Sequence, residues 1–303
     1  MKTAWSPDYE LHLPDHHRFP MIKYGLLPLK LMQEGMVKEE DFFSPETMPL
    51  ENIFLAHHSD YVNRVLENGL TKNEIRRIGF PWSEAIVKRE LKIIMGTYRA
   101  AKHAMKERNT TFNIAGGTHH AGISHGEGFC IFNDVAVAIR VLQKERPGTR
   151  FLVVDLDVHQ GNGTAEIFKN DPLVITLSVH GKNNFPFRKT ESDFDIGLND
   201  GCGTEEFLVA VNQSFKWAET NGTYDMVFYN SGVDILESDA LGRLMVSMEG
   251  CEMRDRIVFN WCKKKALPIT TVMGGGYSHR LNDIIQAHIT TFRVAHEIFN
   301  GLL

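Results

Sequence analysis

Asp155, Asp157 and His159 recur at every second position of VVDLDVHQGNG (153–163), where an apolar run ends. In an extended strand alternate side chains share a face, so this spacing points two carboxylates and an imidazole the same way. Three polar groups converging at the end of a core strand are costly unless something binds them. Asp157, His159 and Asp234, the last closing YNSGVD, together make a one-His, two-carboxylate donor set. Such a set with an open position suits a catalytic Zn²⁺ or Fe²⁺. Taken alone, D-x-D-x-H is as readily a polar strand end with capping aspartates.

GGTHHAGISHGEGF (116–129) places His119 and His120 side by side in a glycine-rich loop. A lone buried histidine is more often structural than catalytic, but an adjacent pair at the rim of a metal-like cluster can serve as base and acid for a bound water. MGGGYSH (273–279) offers Tyr277, whose O–H can donate to a developing oxyanion. By itself Tyr277 reads as a surface aromatic on a plain turn. QGNGTAE has Gly161 and Gly163, but Glu166 stands where a dinucleotide loop needs its third glycine, and Asp155 and Asp157 would repel a pyrophosphate. No Walker-type phosphate loop occurs.

The elements that must position these groups are short apolar runs at 112–117, 150–157, 173–179, 224–232 and 268–276, expected as strands buried on both faces. Helical patterns lie between or after them at 133–145, 203–219, 248–265 and 280–300. This alternation predicts one α/β domain over residues 1–303, a parallel sheet with helices on both faces. Ligands bind beyond the carboxyl ends of such strands, where every motif above falls. Residues 1–110 read as helices and loops wrapping the sheet.

Composition narrows the function. Of 303 residues 43% are hydrophobic and 23% charged, as in an ordinary globular core. A net charge of -5 gives no electrostatic reason to expect a nucleic-acid or anionic-membrane surface. Cys130, Cys202, Cys251 and Cys262 are scattered without C-x-x-C, which fits a reducing, cytoplasmic setting. No signal-like or membrane-spanning run is seen.

G-G-x-H-H, G-F-C-x-x-N-D, D-L-D-x-H-Q-G-N-G, Y-N-S-G-x-D-I-L and G-G-G-Y, in this order over roughly 112–290, resemble the zinc-dependent histone deacetylases. DLDVHQGNG, YNSGVDILESDALGRL and GGYSHR are most similar to the class IV branch, and HHRFPMIKYGLL is similar to bacterial members. The resemblance implies the arginase/deacetylase fold with about eight parallel strands. It implies zinc on Asp157, His159 and Asp234, with His120 as general base and acid and His119 supporting charge. Tyr277 would polarise the carbonyl, and the Gly128 carbonyl would accept from the substrate amide. Phe129 and Phe185 would wall the channel for a lysine stem. Asp155 becomes a residue that orients His119 and, with Ser178, helps hold K⁺. Asn162 stands opposite His120 where class I members have aspartate, so the His120 pKa should be lower here.

The implied activity is hydrolysis of N-ε-acyl-lysine, acetyl or longer fatty acyl. A small acetylated amine such as an acetylpolyamine is the alternative substrate. A binuclear manganese hydrolase of the same fold would want further bridging aspartates, which DILESD lacks. A silent acyl-lysine-binding module would have lost one of the ligands, histidines or tyrosine, and all are present. His57 and His58 read as structural, His12, His16, His17, His103, His288 and His296 as surface or helix-packing residues, and His125 and His180 as loop residues near the rim.

Overall fold

The computed structural model describes residues 1–301. The runs rich in β-branched and aromatic residues become strands: Phe151–Asp155 and Met226–Asn230 are buried at every position, as central strands of a covered sheet must be. In chain order the strands are β1 (Thr3–Ala4), β2 (Phe42–Phe43), β3 (Thr110–Asn113), β4 (Phe151–Asp155), β5 (Val174–Gly181), β6 (Phe194–Leu198), β7 (Met226–Asn230) and β8 (Ile269–Val272). They form one eight-stranded sheet in the order β2-β1-β3-β8-β7-β4-β5-β6. Every pair is parallel. The chain steps outward from β4 to β6 and then returns, so β7 and β8 fill the gap between β3 and β4. The loops after those four adjacent strands therefore share one crevice.

The helices are α1 (Lys23–Gln33), α2 (Leu50–Ile53), α3 (Ser59–Leu66), α4 (Lys72–Ile78), α5 (Glu84–Glu107), α6 (Asp134–Glu145), α7 (Asn162–Phe168), α8 (Thr204–Asn221), α9 (Met248–Lys264) and α10 (Leu281–Asn300). Ser83 caps α5, Asn133 caps α6 and Ser247 caps α9, each side chain accepting a first-turn N–H. Adjacent residues of β3 show that both faces are covered. Thr111 Oγ1 donates to Ala100 O of α5 at 2.9 Å, whereas the Phe112 ring stacks on Phe292 of α10 at 3.9 Å. Neighbouring strand residues face opposite ways, so α5 and α10 lie on opposite faces. α6 and α7 join the α5 layer, and α8, α9 and α1 the α10 layer.

Two expectations need correction. The first 110 residues do not merely wrap the sheet. They supply its edge strand β2 and the neighbouring β1, and they put Lys23 and Arg89 under the crevice as buried cations. Two-residue strands leave too short a pattern to read, and β6 alternates between half-buried and exposed positions rather than forming an apolar run. The second correction concerns Asp155, Asp157 and His159, because β4 stops at Asp155. Their shared direction comes from a turn, not from strand alternation. Asp155 Oδ1 accepts from Asp157 N at 3.2 Å, and Asp157 Oδ1 accepts from His159 N at 2.9 Å. Each aspartate bonds the backbone two residues on, which bends the chain back over the strand end.

Candidate metal and catalytic centre

The turn after β4 presents Asp157 and His159 to Asp234, which follows β7. His159 Nδ1 lies 3.0 Å from Asp157 Oδ1 and 3.1 Å from Asp234 Oδ2. One donor atom from each residue falls within 4.8 Å of the others, and all three residues are buried. Burial, then the Asp157 charge, pushes the Asp234 carboxyl up to about 7. Burial would raise Asp157 as well, but the His119 charge and the bond from His159 hold it below the carboxylate range. Burial depresses His159, yet its bonds to the two aspartates lift it to about 10. Two buried carboxylates thus draw a positive charge onto the one imidazole between them. That is the electrostatic signature of a cation site, and nitrogen plus two carboxylate oxygens suits a divalent transition metal.

Gly275 lies against the Asp234 carboxylate, where a Cβ has no room. The glycine-rich segment after β8 is therefore a close-approach device, and Gly275 N donates to Asp157 Oδ2 at 2.8 Å.

Beside this cluster the loop after β3 carries His119 and His120, with ring centroids 4.1 Å apart. They sit in contrasting environments. His119 Nδ1 meets Asp155 Oδ2 at 2.6 Å, and although burial opposes it, the Asp155 and Asp157 charges raise its pKa to about 9. His120 Nδ1 meets Asn162 Oδ1 at 2.6 Å, and burial, then the charges of His119 and His159, hold it well below the usual imidazole value. One imidazole is kept charged and the other neutral, a division that suits acid–base work. Tyr277 follows the glycines, its ring 6.3 Å from that of His159. Burial and the Asp234 and Asp157 charges keep its phenol protonated, a donor rather than a phenolate.

A cleft of about 590 Å³ runs from the surface to His120, His159 and Tyr277, and Gly128, Phe129 and Phe185 are among the residues of its wall. Phe185 meets the His120 ring edge-on at 4.9 Å, and Phe129 lies 5.8 Å from Tyr277. Gly128 has φ 55°, and a Cβ there would come within 2.6 Å of His120 Cδ2. Ser178 is the neighbour of Asp155 across the β4–β5 register, but its hydroxyl bonds His180 Nδ1 at 2.9 Å and stays outside the donor cluster.

His180 itself is buried within β5, so its expected place in a rim loop is corrected. The apolar-polar-apolar pattern of ITLSVH hid it. His125 is half-buried, with Nε2 4.0 Å from Glu166. His57 is structural: its Nδ1 donates to Gly122 O at 2.9 Å and its Nε2 accepts from Asn133 N at 2.9 Å. Among the others His288 is fully buried against the sheet.

Four supporting residues escaped sequence reading. Asn230 donates to Asp155 Oδ1 at 3.0 Å, and its signal was present in Y-N-S-G. Asp239 accepts from Tyr277 N at 2.6 Å and from Leu241 N and Gly242 N at 2.8 Å. Glu127 bridges Asn162 Nδ2 at 2.7 Å and Arg77 at 2.6 Å, completing a chain Arg77–Glu127–Asn162–His120. Lys23, lowered by burial to about 8, reaches Gly275 O at 3.4 Å beneath the site. Asp239, Glu127 and Lys23 lie within the quoted stretches YNSGVDILESDALGRL, GGTHHAGISHGEGF and HHRFPMIKYGLL, but their role is not legible there because each acts on a segment distant in the chain.

The model of the histone deacetylase domain matches residues 16–292 of this chain. The chain belongs to the histone deacetylase family. A protein of Picosynechococcus sp. is 39% identical over 98% of this chain and 99% of its own length. Histone deacetylase 2 of Arabidopsis thaliana is 29% identical, over 86% of this chain and 70% of its own. The crystal structure of an HDAC homolog from Aquifex aeolicus matches the fold with a TM-score of 0.83 at 24% identity, covering 100% of this chain and 84% of that one. The histone deacetylase fold is thus shared over the whole eight-stranded sheet. In this metal-dependent family of hydrolases, the buried Asp157, His159 and Asp234 can hold the ion. No helix among the described residues is long and apolar enough to cross a membrane.

Proposed function

We propose that residues 1–303 form one catalytic domain that removes acyl groups from N-ε-acyl-lysine of proteins, with zinc held by Asp157, His159 and Asp234. Fe²⁺ is the alternative occupant of the same donors. The observation that carries the reading is the meeting, at the floor of one cleft, of His159 from that donor set with a neutral His120 and a protonated Tyr277. Bound there, zinc supplies a Lewis acid that polarises the amide carbonyl and acidifies water.

His120 donates Nδ1–H to Asn162 Oδ1, which leaves Nε2 free to take a proton from the attacking water and return it to the leaving amine. His119, charged against Asp155, supports the negative charge that develops nearby. The Tyr277 hydroxyl donates to the carbonyl oxygen as it gains charge. The Gly128 carbonyl accepts from the substrate amide, and Phe129 and Phe185 flank the aliphatic stem and exclude water. Asp155 and Ser178, paired across adjacent strands, are the proposed K⁺ residues. The class IV-like motifs extend the substrate range to long fatty acyl groups. Four buried, free cysteines support a cytoplasmic location.

The test is turnover by zinc-loaded protein of acetyl-lysine peptide, myristoyl-lysine peptide and acetylspermidine, read by mass spectrometry. Cleavage of either peptide is expected, with His120→Ala lowering kcat by about 10²–10⁴ while zinc content is retained. Faster cleavage of acetylspermidine, or no cleavage with zinc bound, would overturn the reading.

A further inference from the structure

The wall of the cleft above His120 and Tyr277 carries four arginines, Arg18, Arg76, Arg77 and Arg243, and no carboxylate. In a chain of net charge -5 this is a local inversion of sign. Arg18 comes from the N-terminal loop, Arg76 and Arg77 from the last turn of α4, and Arg243 from the loop after β7. Arg77 is paired with Glu127 at 2.6 Å and Arg243 with Asp200 at 3.1 Å, yet both side chains remain about half exposed, at 53% and 52%. Arg18 and Arg76 are exposed, and among the described residues neither forms an ion pair within the wall. Phe187, 86% exposed, stands in the same wall 6.4 Å from Phe185.

A cleft lined by one sign of charge focuses the field at its mouth. An acetylpolyamine, whose carrier is a cation, is repelled there. Guanidinium groups pair with carboxylates in a bidentate fork, and here they come from three separate segments. An extended chain bearing several carboxylates meets more of them than one compact anion does, and Phe187 offers it an apolar contact. We propose that this mouth selects acyl-lysine set in an acidic stretch of protein, with Arg18 and Arg76 as the specificity-determining residues. The inference rests on the hydrolysis proposed above and names its substrate class.

The test uses zinc-loaded protein and one acetyl-lysine peptide made with neutral, Asp/Glu or Lys/Arg flanks. At low salt, kcat/KM for the acidic peptide should exceed that for the basic one by about tenfold or more, mainly through KM. The ratio should shrink toward one near 1 M salt, where the Debye length falls to about 3 Å. The double variant R18E/R76E should lower the acidic-to-basic ratio at least tenfold, whereas Lys216→Glu on α8, outside the cleft, should keep it. Anisotropy with the same labelled peptides on the His120→Ala variant reads the mouth apart from turnover. Equal Kd for acidic and basic peptides overturns the inference. If the neutral peptide is still cleaved, the proposed hydrolysis stands without it. Preferred binding of the acidic peptide with no cleavage of any peptide supports the mouth and sinks the hydrolysis.

Discussion

At the scale of single residues, Asn162 is explained by what stands behind it. Its Oδ1 accepts from His120 and its Nδ2 donates to Glu127 Oε1 at 2.7 Å. Only an amide of that length does both. Aspartate there would set two carboxylates against each other, because Glu127 is itself buried and fixed by Arg77. We therefore expect Asn162→Asp alone to lower the melting temperature and the double variant N162D/E127Q to restore it. In the double variant the new carboxylate stabilises the His120 imidazolium, so the base form is lost at higher pH. The acidic limb of the kcat/KM profile should move up by about one unit or more. An unmoved limb in a folded double variant would show that position 162 does not set the His120 proton.

At the scale of elements, the loop after β7 and the loop after β8 are tied by one half-buried carboxylate. Asp239 receives three backbone N–H groups, one of them from Tyr277. Asp239→Ala leaves those donors without a partner, at a cost of about 2 kcal/mol, read as a fall of a few degrees in the melting temperature. Because Asp239 holds the Tyr277 backbone and is not among Asp157, His159 and Asp234, kcat should fall while affinity for the metal is kept. Loss of the metal together with activity would mean that the two loops do not separate in this way. Gly128 makes a second point at this scale. With φ 55° and His120 2.6 Å from a would-be Cβ, Gly128→Ala should cost kcat more than the roughly 1 kcal/mol expected of backbone strain alone, measured against its own melting shift.

For the whole molecule, the N-terminal third is locked through His57 to the loop that carries His119 and His120. Its ring spans Gly122 O and Asn133 N, and burial lowers its pKa to about 4. A histidine near 6.5 when unfolded and near 4 when folded takes up protons first in the unfolded chain. Its contribution is therefore present above about pH 6.5 and is lost as pH falls from there to about 4, reaching about 3 kcal/mol at the lower end. Melting temperature should drop more steeply between pH 7 and pH 5 in wild type than in His57→Gln. Parallel slopes would remove His57 from the account.

The sheet was legible because strands buried on both faces are made of unbroken β-branched and aromatic runs. All five that spacing predicts appear, with ends moved by a few residues. The expected site residues gather at one end of that sheet because their motifs follow adjacent parallel strands. Residue types and order by themselves picked out the Asp157, His159 and Asp234 group that could hold a metal ion, the adjacent histidines and Tyr277, since candidate chemistry is carried by side-chain identity. Only the tertiary structure decided that Asp157 and His159 meet Asp234 through a turn rather than a strand face. It also decided that Glu127 and Asp239 support the site, and that arginines from three segments share one mouth in an acidic chain. Charge and hydrogen bonding act through space, and their partners here lie 35 or more residues apart, a separation that no local pattern records.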